Sequence, residues 1–323
     1  MDFRAIIKKN NQRTKLVIAT YIFIMLIVGL LGDVALFAHP KLSLLQNMQK
    51  FATFQFIPYV TMVVMGCTII GIFIISKFGH KMMLSGVNAQ LLTEETARTS
   101  VERQLLNIVE ELSLSASLGY IPKLYIMHND APNAFAAGWN KNNAILGVTA
   151  GLLRILNRQE LQAVMAHEVG HIIHNDSKLT LYVGILANVI LTFTNIFARI
   201  AFYMGRGNSN NKAAQNARII LLVLNFVLPI ITQVLYFYLS RTREYMADAA
   251  AVKLTGENQA MIDALKKISG DHQTNEYESE SKSTGESYRS AAYIFNKGDS
   301  IFSTHPTIEN RINNLLGYQN FNK

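Results

Sequence analysis

Four stretches of the chain run without a charged residue for a length that can cross a bilayer: Leu16 to Gly32, Phe51 to Ser76, Leu179 to Ala198 and Ile219 to Ser240. At about 1.5 Å of helical rise per residue, each is long enough, or nearly so, for about 30 Å of hydrocarbon. Backbone in lipid must satisfy its own hydrogen bonds, so runs of this kind restrict the fold to spanning helices more than any other feature does. Half of the residues are hydrophobic and 16% are charged, in keeping with a membrane class. A buried core helix is the competing assignment. It gains from Asn188, Asn195, Asn225, Pro229 and Gln233 in the last two runs, which fit either a full crossing or packing against protein.

The segment before the first run, "MDFRAIIKKNNQRTK", sets Arg4, Lys8, Lys9, Arg13 and Lys15 against Asp2, and this bias places the N-terminus in the cytoplasm. The apolar run is long and "GDVALFAHPK" offers no A-x-A cleavage site, so a retained anchor is expected rather than a removed signal peptide. The net charge of +8 suits the anionic headgroups of a lipid bilayer. No basic stripe is interleaved with aromatics, so no nucleic acid partner is expected. Cys67 is the only cysteine and lies within the second run, which leaves no internal disulfide framework.

Counting crossings from a cytoplasmic start gives five segments. Residues 1–15 form a cytoplasmic N-terminus, and residues 16–78 two transmembrane helices joined by a short loop around "HPKLSLLQNMQK". Residues 79–178 form the first part of a cytoplasmic domain, 179–240 a transmembrane hairpin with the polar loop "GRGNSNNKAAQNAR", and 241–323 the second part of the domain. Within the domain, "TSVERQLLNIVEELS" places Val101, Leu105, Ile108, Val109 and Leu112 at helical spacing, and "KLYIM" and "AILGV" read as short strands. Thr149 before "GLLRIL" begins a further helix, and "NRQELQAVMAHEVGHIIHND" reads as an amphipathic one. The stretch 269–290 is almost devoid of apolar residues and is expected to be a mobile loop. The fold class expected is an α+β membrane protein, mainly helical, with four transmembrane helices and a small β-sheet in the cytoplasmic domain.

The pattern "HEVGH" sets His167 and His171 one helical turn apart, so that both imidazoles can reach one ion, with Glu168 beside it. A metal with an open coordination position acidifies water, and Glu168 can take the proton as that water attacks a carbonyl. By composition the pattern arises by chance in roughly one protein of this size in a hundred, so a third ligand must support it. His174 shares the helix face but lies about 4.5 Å of rise beyond His171. The chain also lacks the glycine that turns such a helix towards a third histidine, since that position is His174 itself and the histidine position is Ser177. His174 is therefore read as lying around the site or on the surface. In "SRTREYMADAAAVKLTG" Glu244 and Asp248 are one turn apart, suited to a third ligand and to a carboxylate that fixes a ligand histidine's tautomer. An isolated E-x-x-x-D also reads as a solvated helix face. Both motifs lie one or two turns from an apolar run, which puts the site within about 10 Å of the membrane surface.

These residues give the chain a close resemblance to the HtpX family of bacterial membrane zinc metalloproteases, relatives of the CAAX prenyl proteases. The resemblance extends over "PKLYIMHNDAPNAFAAGW", "AILGVTAGLLRIL", "ELQAVMAHEVGHIIHND", "SRTREYMADAAAVKLTG" and "FSTHPTIENRI". It implies a zincin-like (gluzincin) catalytic domain with one Zn2+ per chain, held by His167, His171 and Glu244, with Glu168 as general base and Asp248 supporting a ligand histidine. It further implies an endopeptidase of misfolded or membrane proteins, serving quality control and stress response, in the inner membrane of a bacterial cell with its active site in the cytoplasm. Asn133 to Gly138 resembles the family's substrate-side strand. Asn133, Ala134, Phe135 and Ala136 could hold an extended peptide along an exposed edge, or form an ordinary core strand. His305 and Arg311 match the late HP…R element, with two readings: stabilising an oxyanion or anchoring the C-terminal helix. Asn175 and Asp176 match too, with helix termination as the plain reading. Two rival functions remain, a non-catalytic membrane zinc-binding protein and an intramembrane metalloprotease.

Overall fold

The computed structural model describes residues 3–138, 144–176, 190–197, 199–200, 203, 211–275, 277, 293–294 and 306–317. In chain order the elements are α1 (Phe3–Phe37), α2 (Leu44–Ala52), α3 (Tyr59–Met82), β1 (Ala89–Leu92), α4 (Ser100–Ser115), β2 (Lys123–Met127), β3 (Ala134–Ala137), β4 (Ile145–Thr149), α5 (Ala150–Ile155), α6 (Arg158–His174), α7 (Lys212–Thr255), α8 (Gln259–Thr274) and α9 (Ile308–Leu315). They divide into two compact units: Met1–Arg13, Lys77–Gly184 and Tyr236–Lys323 in one, Thr14–Ser76 and Ile185–Leu235 in the other.

The second unit holds the apolar helices. Among the described residues three are long and apolar enough to cross a membrane: Asn10–Phe37, Tyr59–Gly79 and Lys212–Ile231. The run Leu179 to Ala198 lies largely outside the described residues, and its part 190–197 is helical. The first span does not stop at Gly32, the last residue of its charge-free run, but continues to Phe37. Asp33 is buried and caps α3 from across the unit, accepting from the backbone N–H of Val60 (2.8 Å) and of Thr61 (3.0 Å) and from the Thr61 hydroxyl (2.6 Å). The carboxylate thus satisfies the unpaired N–H groups at the start of a neighbouring helix. Gly29 and Gly32 permit the approach, since a Cβ on either would fall within 2.8 Å of Thr61 Cα or 2.7 Å of Val60 Cγ1. The connection between the first two spans is no plain loop, because α2 occupies it. The last apolar helix begins earlier than its charge-free run: Asn211 Oδ1 accepts from the N–H of Ala213 and Ala214, and "KAAQNAR" is the first turns of α7, not loop. α7 then continues past Arg241 without a break to Thr255.

In the first unit the sheet order is β1-β2-β4-β3, with β2 and β4 parallel and the outer pairs antiparallel. The expected strands and helices are present, and β1 is an addition that the sequence pattern did not disclose. α4 buries Leu105, Ile108, Val109 and Leu112 while Val101 stays exposed. α6 starts at a capping box in which Asn157 Oδ1 accepts from Glu160 N–H and Glu160 returns the bond. It is less one-sided than the amphipathic helix expected. It packs against α4, α8 and β3 and is buried on nearly every side, the mark of a central helix. The expected loop 269–290 is corrected at its start, because α8 runs to Thr274. Its buried stripe of Ala260, Ala264, Leu265 and Ile268 is continued one turn on by His272, whose Nε2 lies 3.1 Å from the Pro132 carbonyl oxygen. Apart from Asn275 and Tyr277, the remainder of that loop lies outside the described residues.

Candidate metal centre

α6 carries His167, Glu168 and His171, and α7 carries Glu244 and Asp248; both segments belong to the first unit. The helices meet at Gly170, where a Cβ would come within 2.9 Å of the Ala250 Cβ and 3.3 Å of the Ala247 Cα. This close approach brings the Glu244 carboxylate, one turn before Ala247, up to the two imidazoles. His167 Nε2 and His171 Nε2 are 3.2 Å apart, and the Glu244 oxygens lie 3.5 Å from the first and 3.7 Å from the second. Four donors held about 2.0 to 2.1 Å from a tetrahedral zinc are about 3.3 Å from one another. The three spacings therefore fit one such ion, and His167, His171 and Glu244 are the one group able to hold a metal among the described residues. His174 is outside that group. It is buried rather than on the surface, and its carbonyl accepts from Asn10 Nδ2 at 2.9 Å.

The far nitrogen of each histidine meets a carboxylate. Asp248 Oδ1 is 2.9 Å from His167 Nδ1, and Asp176 Oδ1 is 3.0 Å from His171 Nδ1. Each contact fixes the tautomer that leaves Nε2 free to ligate. Asp176 therefore does more than the helix termination that is its plain reading. Asn175 adopts a left-handed conformation (φ 55°) at the end of α6, and the turn folds Asp176 back so that its N–H reaches the His171 carbonyl at 3.2 Å. An Asn able to enter that conformation, followed at once by an Asp, was the available signal.

Arg311, on α9, is wholly buried behind His167. Its Nε donates to Asp248 Oδ2 (3.0 Å), Nη2 to Asp248 Oδ1 (2.6 Å), and Nη1 to the Ile294 carbonyl (3.1 Å) while lying 3.7 Å from Glu244. These contacts tie α9 to Asp248 and to the Ile294 carbonyl, with the guanidinium also close to the Glu244 carboxylate. His305 lies outside the described residues. The structure also corrects the exposed-edge reading of Asn133 to Ala136. Residues 134–137 form β3, the last strand of the sheet, but all four are buried, and the outer side of the strand is met by Tyr293 and Ile294. The Ile294 N–H bonds to the Ala134 carbonyl at 2.9 Å, and Phe135 pairs with Tyr293. Asn133 is held by Thr149, whose hydroxyl accepts from its N–H at 2.8 Å.

Charge in the cluster follows from burial and neighbours. Burial acts to lower the His171 pKa, but the carboxylates around it, Asp176 first and then Glu244 and Glu168, together outweigh that and hold it up at about 9. Asp248 is pushed up by burial, yet Arg311 and His167 bring it below the usual carboxylate range. Glu168 is raised, chiefly by burial. Neither oxygen of Glu168 has a hydrogen-bond partner among the described residues, although the side chain is only 1% exposed. A buried carboxylate without partners is costly in a fold that serves stability alone. Beside three convergent donors it is what a site that handles a water and its proton requires.

The model of peptidase family M48 matches residues 97–319. A relative from Helicobacter acinonychis described as "Protease HtpX homolog" is 42% identical over 98% of each chain. Another so described, from Helicobacter pylori, is 41% identical over 97% of this chain and 98% of its own, and one from Ligilactobacillus salivarius is 32% identical over 96% and 97%. Among solved structures, S. mikatae Ste24p superimposes with a TM-score of 0.46 at 18% identity, covering 83% of this chain and 60% of that one. With a family match of this extent and relatives this similar from end to end, the chain belongs to peptidase family M48 and is a membrane metalloprotease of the HtpX group.

Proposed function

We propose that the chain is a zinc-dependent endopeptidase of misfolded or membrane polypeptides, set in the inner membrane of a bacterial cell with its N-terminus and metal centre in the cytoplasm. The observation that carries the chemistry is the buried Glu168, whose oxygens have no hydrogen-bond partner among the described residues, beside the His167, His171 and Glu244 donors. Two imidazoles and one carboxylate form the donor set of hydrolytic zinc sites that keep a position open. When bound, zinc supplies Lewis acidity, which polarises a carbonyl and lowers the pKa of a water to about 7.

The protein's own groups do the rest. Glu168 Oε accepts the proton of the attacking water and returns it to the departing amine as the peptide C–N bond breaks. Its raised pKa suits both halves of that transfer. Asp248 and Asp176 keep the two imidazoles aimed, and Arg311 balances the charge of Asp248 and Glu244. Cytoplasmic placement is supported by the basic N-terminal segment, which as far as Arg13 lies in the same compact unit as the metal centre.

Zinc content and cleavage of casein are to be measured on the detergent-solubilised wild type, Glu168→Gln and Glu244→Ala. The expected result is one zinc per chain in the first two, cleavage in the first alone, and loss of both in the third. Cleavage by Glu168→Gln would reject the assignment of the base. One zinc with no hydrolysis of any denatured protein by the wild type would favour the non-catalytic reading.

A further inference from the structure

We propose that the connection between α1 and α3 is a membrane-embedded foot, in which α2 and the turn after it insert Leu45, Phe54 and Ile57 among the lipids of the surface where the two spans end. The segment from Ala38 to Pro58 is enclosed in sequence by two spans, Asn10–Phe37 and Tyr59–Gly79, so it cannot leave that surface. It is folded, not frayed. Asn47 is buried and receives the His39 N–H (2.8 Å), while its amide donates to the carbonyls of His39, Leu42 and Ser43. Phe51 is buried against the ring of Phe56, with centroids 5.4 Å apart.

Against that ordered interior, the residues pointing outward are the wrong ones for water: Leu45 is 75% exposed, Phe54 73% and Ile57 57%. On a helical wheel Leu44, Met48, Ala52 and Leu45 lie together on one flank of α2, and Gln46, Gln49 and Lys50 on the other, as in a helix lying in an interface. Phe54 adds an independent sign. It has φ 58°, closing α2 with its N–H on the Phe51 carbonyl while the N–H groups of Gln55 and Phe56 return to Lys50. Glycine is the ordinary occupant of that left-handed position, and a large side chain there is strained. A phenylalanine that is both strained and exposed gains nothing in water but gains burial in lipid.

The occupant is a bilayer rather than a protein because the apolar surface continues from the exposed aromatics at the span ends, Phe37 and Tyr59. The segment also carries Lys41 and Lys50 and no acidic residue, as suits lipid phosphates.

The test places a single tryptophan at Phe54 or Leu45 and, as a control, at Gln46, each in full-length protein with Trp139→Phe, reconstituted in vesicles of phosphatidylcholine and phosphatidylglycerol. Lipids brominated near the head of the acyl chain and aqueous iodide serve as quenchers. Phe54→Trp and Leu45→Trp should emit to the blue and be quenched several-fold more by the lipid than by iodide, and Gln46→Trp the reverse. Strong iodide quenching at positions 54 and 45 would overturn the proposal. So would blue emission indifferent to both quenchers, which would mean that protein covers this face. Leu45 lies on ordinary helix, so it keeps the test valid if the strained position tolerates no tryptophan.

Discussion

One methyl group at Gly170 tests whether the close packing of the two ligand-bearing helices sets the metal site. A Cβ there would stand 2.9 Å from the Ala250 Cβ, 3.3 Å from the Ala247 Cα and 3.4 Å from the Ala247 carbonyl oxygen. Apolar carbons pack at about 3.5 to 4.0 Å, so Gly170→Ala obliges α6 and α7 to separate by about 0.6 Å or more. Glu244 and Asp248 lie on the same turns as Ala247 and move with it. Overpacking costs about 1 to 3 kcal/mol, while replacing a mid-helix glycine by alanine returns about 1 kcal/mol, so folding loses about 2 kcal/mol at most. Metal–ligand distances are less forgiving, with a tolerance of about 0.2 Å. The loss should therefore fall on zinc affinity, about 10- to 100-fold as for displaced outer partners of a metal site. Competition with a chromophoric chelator measures it, with thermal unfolding of the metal-free protein alongside. Ala250→Gly removes the nearest obstacle and should restore most of the affinity in the double variant. Full zinc affinity in Gly170→Ala alone would refute the argument that helix separation places Glu244.

Asp176→Ala should weaken zinc binding about 10- to 100-fold and let the His171 pKa fall from about 9, read by imidazole NMR in the metal-free protein; an unmoved titration would mean that Asp176 does not hold the ring. Zinc must displace the proton on His171, so affinity should fall about tenfold per pH unit below about 9. Stability of the metal-free protein should run the other way: the raised pKa contributes fully below the unfolded value of about 6.5 and is lost as pH rises through about 9, which denaturant titrations at several pH values would show. Arg311→Met leaves the buried Asp248 and Glu244 carboxylates without their cation and should cost about 3 to 5 kcal/mol in unfolding experiments. Arg311→Lys should recover only part of this, since one ammonium cannot bond both Asp248 oxygens and the Ile294 carbonyl at once.

The parts legible in the sequence were those in which local spacing is itself the chemistry. Two imidazoles that share an ion must be a turn apart, so His167 and His171 announce themselves, and Glu244 with Asp248 follows the same rule on a second helix. Where a residue's partner is distant, the same reasoning failed. The charge-free run ends at Gly32 because Asp33 follows it, whereas in the fold the distant α3 N-terminus receives that charge. His272 looked like loop composition because the Pro132 carbonyl that its ring meets is 140 residues away. Arg311 could not be placed before α9 was seen to lay it on Asp248, 63 residues off. The consequence for the metal centre is electrostatic. Around its donors four buried carboxylates, Glu168, Asp176, Glu244 and Asp248, face two buried guanidiniums, Arg243 and Arg311. Such an excess of negative charge is not tolerated away from water unless a cation offsets it or protons do. A divalent ion removes the deficit. Without one, the imidazoles take up protons instead, which is why His171 is held as an imidazolium up to about pH 9. Metal and proton thus compete for one charge vacancy, and the carboxylates that aim the ligands are the ones that create it.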